Sequence, residues 1–262
     1  MKTATTLTFL PTTWSRERRS AVTIAIAIAG LVAFLWLMML PLSLMPEPIG
    51  SAAAQFAEGA RVTVALTAVA GVIGILLGVF AALAKLSKFP PLRWAANFYV
   101  WAIRGTPLLV QVLFVFLALP SLVPGLQLSD FNSAVVALAF NAGAYNAEAI
   151  RAGILAINKG QTEAARSLGL TPFMTFRDVI FPQSFRIALP PLVNNFVSLL
   201  KDSSLAYVIG VVELSNIGNR IQSVTFQPIP VFITTATIYL ILTSVMTQIS
   251  GAIERQLDVE RH

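Results

Sequence analysis

Residues 158–183 read NKGQTEAARSLGLTPFMTFRDVIFPQ, a polar, turn-rich stretch that lies between two apolar segments. Thr162 predicts a short helix beginning at Glu163, because threonine can cap the first turn and the helix dipole favours an acid there. Gly169 predicts the end of this helix, since glycine adopts the left-handed conformation at little cost. Thr171–Pro172 predicts the start of a second helix, with threonine as its cap and proline at the first helical position.

Three apolar side chains of this stretch, Leu168, Phe173 and Phe176, have little local core in which to be buried. Apolar side chains that are exposed on a polar loop usually mark the surface that binds a partner. The alternative is an ordinary loop whose leucine and phenylalanines fold back on the apolar segments beside it. Composition alone leaves both interpretations open.

The composition of the whole chain is that of a membrane protein. Apolar residues make up 56% of the chain and charged residues only 11%, whereas about a quarter of a soluble domain is charged. The formal charge of +6 is better explained by orientation in a bilayer than by nucleic-acid binding, because the basic residues flank apolar segments.

Several kinds of chemistry are excluded by the residues that are missing. The chain has no cysteine, so it can have no disulfide, thiolate nucleophile or cysteine metal site, and with His262 as its single histidine we expect no histidine-based catalysis. We expect no catalytic residue and no metal site in this chain. No phosphate-binding loop of the pattern GxxxxGK[ST] occurs. If ATP drives this protein, another chain must bind it.

The apolar segments predict an all-α, polytopic membrane protein with about six transmembrane helices, since about 20 apolar residues cross a bilayer. The predicted spans are residues 21–40, 59–84, 94–119, 131–150, 190–212 and 229–252. The predicted external loops are residues 41–58, 120–130 and 213–227. A secretory signal peptide is the alternative for the first span, but its apolar run exceeds the usual core of about 7–15 residues.

Two spans contain features that affect helix packing. Gly74 and Gly78 lie one turn apart and permit close approach of another helix, unless they are chance glycines. Gly105–Pro107 interrupts the third span, because proline lacks an amide donor and disfavours helix in the residue before it. We therefore expect residues 94–103 to lie along the membrane interface and residues 106–119 to descend steeply.

The distribution of charge predicts that both termini are cytoplasmic. Fourteen of the 18 Lys and Arg residues fall in segments assigned to the cytoplasm, including the tails 1–20 and 253–262 and the stretch 158–183. Loops rich in Lys and Arg stay on the cytoplasmic side of a membrane. The acids Glu47, Glu58, Asp130 and Glu213 fall on the other side.

The order of residues in the polar stretch resembles a known family. Glu163-Ala164-Ala165, followed by Gly169 and then by VIFP at 179–182, resembles the EAA loop of ABC importer permeases. That family usually has isoleucine and leucine where Val179 and Phe181 stand. The segments 104–111, 141–148, 181–190 and 200–205 resemble the polar amino acid uptake branch of the same family. We call residues 158–183 the EAA loop.

The resemblance implies the transmembrane permease subunit of an importer in the bacterial inner membrane, which moves polar amino acids into the cytoplasm by alternating access. Residues 59–252 would form its five-helix core, and residues 21–58 would be an added helix and external loop. The EAA loop would be the coupling helix that docks into a separate ATPase. The coupling residues would be Glu163, Ala164, Ala165, Leu168, Gly169, Phe173 and Phe176.

The resemblance also implies partners. These are ABC ATPase subunits, a second permease subunit that is identical or homologous, an external amino-acid-binding protein, the amino acid and membrane lipid. No cofactor is expected in this chain, because ATP and magnesium would bind to the ATPase, and no nucleic acid is expected.

Lys201 and Asp202 are the first candidates for substrate binding, because our count places them in the middle of the fifth span. An ionisable group inside a bilayer costs about 2.5–3.5 kcal/mol and usually faces a cavity or a partner. Adjacent helical residues do not face each other, so a local break or a partner helix is required. We predict that Asp202 binds the ammonium group, and Lys201 the carboxylate, of a zwitterionic amino acid. The alternative is an ion-pair network that holds helices or subunits together.

Asparagines are the second group of candidates for substrate binding. Asn141 in the fourth span could form a hydrogen bond with the ligand, although a buried asparagine equally often links two helices. Asn194 and Asn195 in the fifth span are further candidates of the same kind.

Three more residues are candidates for gating or structural roles. Glu148 shares a helix face with Asn141 and is expected to pair with Arg151 or to anchor the EAA loop. Arg104 lies beside the break at Pro107 and is expected to be structural or to act in gating.

Two other classes of function compete with the importer. A secondary transporter usually has more spans with internal repeats, and no repeat is obvious here. A non-conducting membrane scaffold would explain the EAA loop but not Lys201 and Asp202 in the bilayer.

Overall fold

The computed structural model describes residues 16–258, with side chains for residues 18–253, and this part of the chain contains no strand. The all-α prediction is therefore confirmed, while most of the predicted tails lies outside the described residues. Contacts between Cα atoms divide the chain into two compact units. One unit takes the described residues up to Ala65 and from Ala206 onward, and the other is Leu66–Leu205. The predicted domain boundaries stay a prediction.

Twelve α-helices account for most of the described chain. They are α1 (Arg16–Leu37), α2 (Met39–Ser43), α3 (Ala53–Leu86), α4 (Pro90–Arg104), α5 (Leu108–Leu113), α6 (Leu119–Leu122), α7 (Asp130–Leu155), α8 (Lys159–Ser167), α9 (Pro172–Met174), α10 (Phe181–Asp202), α11 (Leu214–Thr225) and α12 (Pro228–Asp258). Two π-helical segments, Phe114–Ala118 and Thr175–Ile180, and a 3-10 segment, Ser203–Ile209, continue some of them.

Three stretches of helix are long and apolar enough to cross a membrane, namely Arg18–Ser43, Ala53–Leu86 and Pro228–Ile253. The pair Pro90–Arg104 and Leu108–Leu122 passes the same test as one bent span. Helices α7 and α10 have 26 and 22 residues, enough to cross, but they are too polar to pass. The multi-pass prediction is confirmed, and the count of six spans stays a prediction.

The predicted break in the third span is present. Helix α4 ends at Arg104, α5 begins at Leu108, and the two axes differ in direction by 110°. Pro107 has extended backbone angles and caps α5, because its ring prevents α4 from continuing through it. The break turns the carbonyl end of α4 toward the start of α5.

Two predicted boundaries are wrong. Helix α10 begins at Phe181 rather than at Pro190, because Pro190 and Pro191 are accommodated inside it. Most of the segment 213–227, which was expected to be an external loop, forms helix α11 (Leu214–Thr225). The side chain of Glu213 accepts hydrogen bonds from two amides of the first turn of α11, and a buried apolar face completes the helix.

Close packing of α3 against α7 confirms the prediction for Gly74 and Gly78. A Cβ atom at Gly74 would lie 2.9 Å from the Cβ of Ala142, and one at Gly78 would lie 2.6 Å from the Cβ of Asn146. Larger residues would therefore push the two helices apart. This packing determines the position of the α7 face that carries Asn141.

Candidate functional site

A cavity of about 480 Å³ lies in the unit Leu66–Leu205. It is lined by the break between α4 and α5, by α7, and by the end of α10 with the segment that follows it. Its polar lining residues are Thr106, Asn141, Tyr145, Asn195, Ser198, Lys201 and Asp202. A volume of this size accommodates a small molecule, and a few convergent polar groups are typical of a ligand site.

Lys201 and Asp202 both line the cavity, at the C-terminal end of α10. The helix changes to 3-10 geometry at Ser203, so the local break that these residues require is present. They occupy the last two positions of α10, and their predicted location in the middle of a membrane span stays a prediction. Neither residue forms an ion pair within the part of the chain that the structure describes. An ion-pair network across subunits stays open as an alternative.

Asn141 combines the two roles considered for it. Its side-chain amide donates a hydrogen bond to Oε1 of Gln111 on α5 at 3.0 Å, and the same side chain lines the cavity. Asn195 also lines the cavity and donates to Oδ1 of Asn146 on α7 at 3.0 Å. Asn194 is exposed and is not among the cavity-lining residues, so the structure does not bring it together with the others.

Tyr145 is a cavity residue that the sequence analysis missed. The guanidinium carbon of Arg104 lies 5.2 Å from the centroid of the Tyr145 ring, within the range of a cation–π contact. Tyr145 follows Asn141 by four residues and so lies on the same helix face, which was a usable signal. Pro107 also lines the cavity, whereas Arg104 reaches it only through Tyr145.

Glu148 joins two helices outside the cavity. Its carboxylate accepts a hydrogen bond from Nη2 of Arg151 at 2.9 Å, which confirms the predicted pair. It also forms a salt bridge with Lys85 at the end of α3, and both of these side chains are largely buried. Lys85 was missed because it lies far from Glu148 in the sequence.

The first helix of the EAA loop begins earlier than predicted. Helix α8 starts at Lys159, and the side chain of Asn158 caps it by accepting a hydrogen bond from the amide of Gly160 at 2.8 Å. Thr162 is therefore not the cap, and Glu163 is not in the first turn. Asparagine is a stronger N-cap than threonine, so the helix begins after Asn158 rather than after Thr162.

The corner between α8 and α9 is confirmed. Gly169 has a positive φ of 82° just beyond the end of α8. The side chain of Thr171 accepts a hydrogen bond from the amide of Met174 at 3.3 Å, and Pro172 occupies the first position of α9. A left-handed glycine and a threonine cap therefore determine the direction of the second helix.

The apolar side chains at this corner differ in exposure. Leu168 is 83% exposed and Phe173 is 69% exposed, so the fold-back interpretation is wrong for these two. Phe176 is half-buried, and its ring centroid lies 6.2 Å from that of Phe181. Within the Glu-Ala-Ala motif, Glu163 and Ala164 are exposed while Ala165 is buried. The loop thus presents an apolar surface on a short, packed helix.

Arg177 and Asp178 supply the charge beside this surface. Nε of Arg177 donates to Oδ1 of Asp178 at 2.6 Å, and this hydrogen bond lowers the pKa of the Asp178 carboxyl below its usual 3.8. The guanidinium carbon of Arg177 lies 5.9 Å from the centroid of the Phe173 ring. The pair thus keeps a cation over an exposed aromatic ring.

The chain is similar to several known proteins. A family model described as "Binding-protein-dependent transport system inner membrane component" matches residues 74–259. The L-cystine transport system permease protein TcyB of Bacillus subtilis (strain 168) is 43% identical over 201 residues, which cover 76% of this chain and 85% of TcyB. The glutamine transport system permease protein GlnP of Escherichia coli (strain K12) is 37% identical over 206 residues, which cover 77% of this chain and 92% of GlnP.

A solved structure agrees with these relatives. A crystal structure of an amino acid ABC transporter with histidines matches the present fold with a TM-score of 0.74 at 42% sequence identity. The match covers 79% of this chain and 95% of the crystallised chain.

Proposed function

The chain belongs to the family of inner membrane components of binding-protein-dependent transport systems, and we propose that the molecule it carries is a polar amino acid. It is a multi-pass permease subunit of an ABC importer and a pore component rather than an enzyme. Two of its relatives are named for the transport of L-cystine and of glutamine. These names support an amino acid as the substrate of this chain.

The observation that carries the proposal is the pair of opposite charges at one end of the cavity. Lys201 and Asp202 line it together, and neither forms a salt bridge among the residues described. A zwitterion satisfies both, because its carboxylate pairs with Lys201 and its ammonium group with Asp202. An apolar molecule would leave both charges without a partner, which is costly where the molecule displaces water.

The exposed corner of the EAA loop supports docking to an ATPase subunit. Leu168 and Phe173 project from it, and such apolar side chains are typical of the anchors at protein interfaces. ATP and magnesium bind to that partner, which closes and pulls the EAA loops together, so that the pore turns outward. Hydrolysis then resets the pore, and the cavity is exposed to the two sides of the membrane in turn.

The remaining parts of the scheme concern partners and orientation. A second permease, identical or homologous, completes the pore, and an external binding protein delivers the amino acid. The excess of Lys and Arg in the loops on one side supports a cytoplasmic position for the EAA loop and both termini.

One experiment separates the importer from its two rivals. The complex is purified from its native membrane through a tag on this chain, its co-eluting chains are identified by mass spectrometry, and it is placed in lipid nanodiscs. We expect an ATPase subunit to co-elute, and ATP hydrolysis to rise when the binding protein and an L-amino acid from a full panel are added. Uptake into liposomes that needs an ion gradient but no ATP would indicate a secondary transporter. Absence of both activities would indicate a scaffold.

A further inference from the structure

Gln111 lies on α5, beside the break between α4 and α5, and is only 8% exposed. Its Nε2 donates to the carbonyl oxygen of Ile103 at 2.7 Å, and to the carbonyl oxygen and Oγ1 of Thr106 at 3.0 Å each. The last carbonyls of a helix have no partner within the helix. Gln111 therefore supplies hydrogen-bond donors to carbonyls at the end of α4 and in the break.

These contacts determine which way the Gln111 amide points. A backbone carbonyl can only accept a hydrogen bond, so the NH₂ group of Gln111 must face Ile103 and Thr106. The opposite orientation would bring two oxygen atoms to 2.7 Å of each other. Oε1 of Gln111 must therefore point to the other side, where Nδ2 of Asn141 lies 3.0 Å away.

The orientation of Gln111 in turn determines that of Asn141. Because Oε1 of Gln111 can only accept, Asn141 must donate with its NH₂ group. Oδ1 of Asn141 is the polar atom that is left over, and no described residue forms a hydrogen bond with it. Asn141 also lines the cavity, so the backbone break decides which of its two polar atoms is available to a ligand.

We infer that Gln111 is a positioning residue, which holds Oδ1 of Asn141 as a fixed acceptor for the ammonium group of the transported amino acid. This inference rests on the proposed function and adds a residue pair that selects one end of the substrate. An amide that could rotate would serve a carboxylate as well as an ammonium group. The Gln111 amide cannot rotate without leaving carbonyls of the break unpaired, and it therefore holds the Asn141 amide in one orientation. Asn141 in this orientation favours nitrogen donors and disfavours carboxylates.

The test compares ligands that carry only one end of an amino acid. The assembled complex in nanodiscs, without the binding protein, is titrated by calorimetry with L-glutamine and L-arginine. It is also titrated with their amine-only analogues, 4-aminobutanamide and agmatine, and with their acid-only analogues, glutaramic acid and 5-guanidinopentanoic acid.

Asn141→Ala is the first variant. We expect it to weaken the binding of the amino acids and the amine-only analogues about tenfold, since hydrogen bonds to charged groups are the stronger ones. It should weaken the binding of the acid-only analogues by less than about twofold, because the NH₂ group of Asn141 is turned toward Gln111 and one of its two hydrogens is already bonded there. An equal loss for both kinds of analogue, or a loss confined to the acids, would overturn the inference.

Gln111→Met tests the positioning role, because methionine keeps the length of the side chain but removes its donors and its acceptor. We expect the ratio of amine-only to acid-only affinity to fall about tenfold, since Asn141 can then present either of its polar atoms. A residue with only a structural role would lower both affinities together. Gln222→Met on α11 is the matched control. Among the described residues, the side-chain amide of Gln222 donates only to its neighbours Asn219 and Ser223, so this variant should leave the ratio unchanged.

The outcomes separate this inference from the proposed function. If the wild-type complex binds no amino acid, the proposed function fails and the inference falls with it. If it binds amino acids and Asn141→Ala loses selectivity while Gln111→Met keeps it, the positioning role of Gln111 is wrong. Should Gln111→Met fail to assemble, Gln111→Ala replaces it, because its smaller side chain leaves room for water at the carbonyls.

Discussion

The EAA loop and the cavity depart from the usual distribution of side chains in opposite directions. In the loop, Leu168 and Phe173 are apolar side chains exposed on a polar segment. In the cavity, helices α7 and α10 bring together the polar side chains of Asn141, Lys201 and Asp202. Each arrangement costs free energy in the isolated chain, and in the proposed function a partner removes each cost.

The costs on the two sides are of similar size. Burying a leucine or phenylalanine side chain contributes about 1.5–3 kcal/mol, and keeping an ionisable group in a bilayer costs about 2.5–3.5 kcal/mol. The chemistry of the exposed apolar side chains and of the charged cavity side chains indicates the kind of partner each region binds. Apolar groups in water fit a protein surface, and charged groups among apolar helices fit a charged ligand. The two regions should therefore respond to mutation independently.

The largest expected effect is on ATPase docking. The double variant Leu168→Asp and Phe173→Asp should weaken binding of the ATPase subunit more than about 30-fold, because anchors of this kind contribute about 2 kcal/mol or more each. Amino acid binding to the cavity should change by less than about twofold. Affinity for the ATPase subunit is measured by titrating it into nanodiscs that hold the permease subunits alone. Affinity for the amino acid is measured by titrating the amino acid into the same nanodiscs.

The matched control for this prediction keeps the surface apolar. Leu168→Met and Phe173→Leu together should retain ATPase binding. Wild-type affinity in the aspartate variant would mean that this corner does not contact the ATPase, and the contrast between the two regions would then be lost.

The second effect lies in the cavity and has the opposite pattern. Lys201→Ala should weaken amino acid binding about tenfold or more, because a charged hydrogen bond is lost, and it should leave ATPase binding unchanged. Calorimetry and uptake assays measure the change. Lys88→Ala, an exposed lysine between α3 and α4, is the control. Normal uptake with an unchanged substrate range would remove Lys201 from the site.

A third effect concerns stability rather than either region. Glu148→Gln leaves Lys85 and Arg151 without their shared carboxylate, and this should lower the free energy of unfolding by about 1–3 kcal/mol. Thermal unfolding of the complex measures the change. Glu58→Gln removes the exposed pair with Arg61 and should cost less than about 1 kcal/mol. Equal shifts in the two variants would show that the buried position of Glu148 has no energetic effect.

The smallest effect is a pH dependence in the EAA loop. Arg177 lowers the pKa of Asp178 below 3.8, so the charged pair contributes stability above pH 3.8 that is lost as the pH falls through the lowered pKa. The melting temperatures of wild type and Asp178→Asn should therefore differ by a constant amount from pH 5 to 7. They should converge only below pH 3.8. Convergence at a higher pH would contradict the lowered pKa.

Local signals predicted much of the fold. The break at Pro107, the left-handed Gly169 and the cap at Thr171 were predicted from adjacent residues and are present. The start of α10 was missed because Pro190 and Pro191 were interpreted as a boundary, whereas the helix contains both. Helix α11 was missed because its polar composition is typical of a loop, and its buried face depends on packing against α12.

The site was predicted only as a set of separate candidates. Lys201, Asp202 and Asn141 were selected because polar residues in apolar segments are conspicuous, and the cavity contains all three. Asn194 was selected on the same ground and is not a lining residue. Tyr145 and Gln111 were not selected, since neither type of residue is unusual in a helix.

The sequence by itself determined the apolar spans, the kink before α5 and the turn at Gly169 in the EAA loop. Hydropathy, proline geometry and helix capping depend on residues that are close together in the chain, so a linear pattern contains them. Only the tertiary structure decided which polar groups share one cavity and which way they point. The bonds of Gln111 to Asn141 and of Glu148 to Lys85 join separate helices. Their formation depends on how those helices pack, and no pattern of neighbouring residues specifies that.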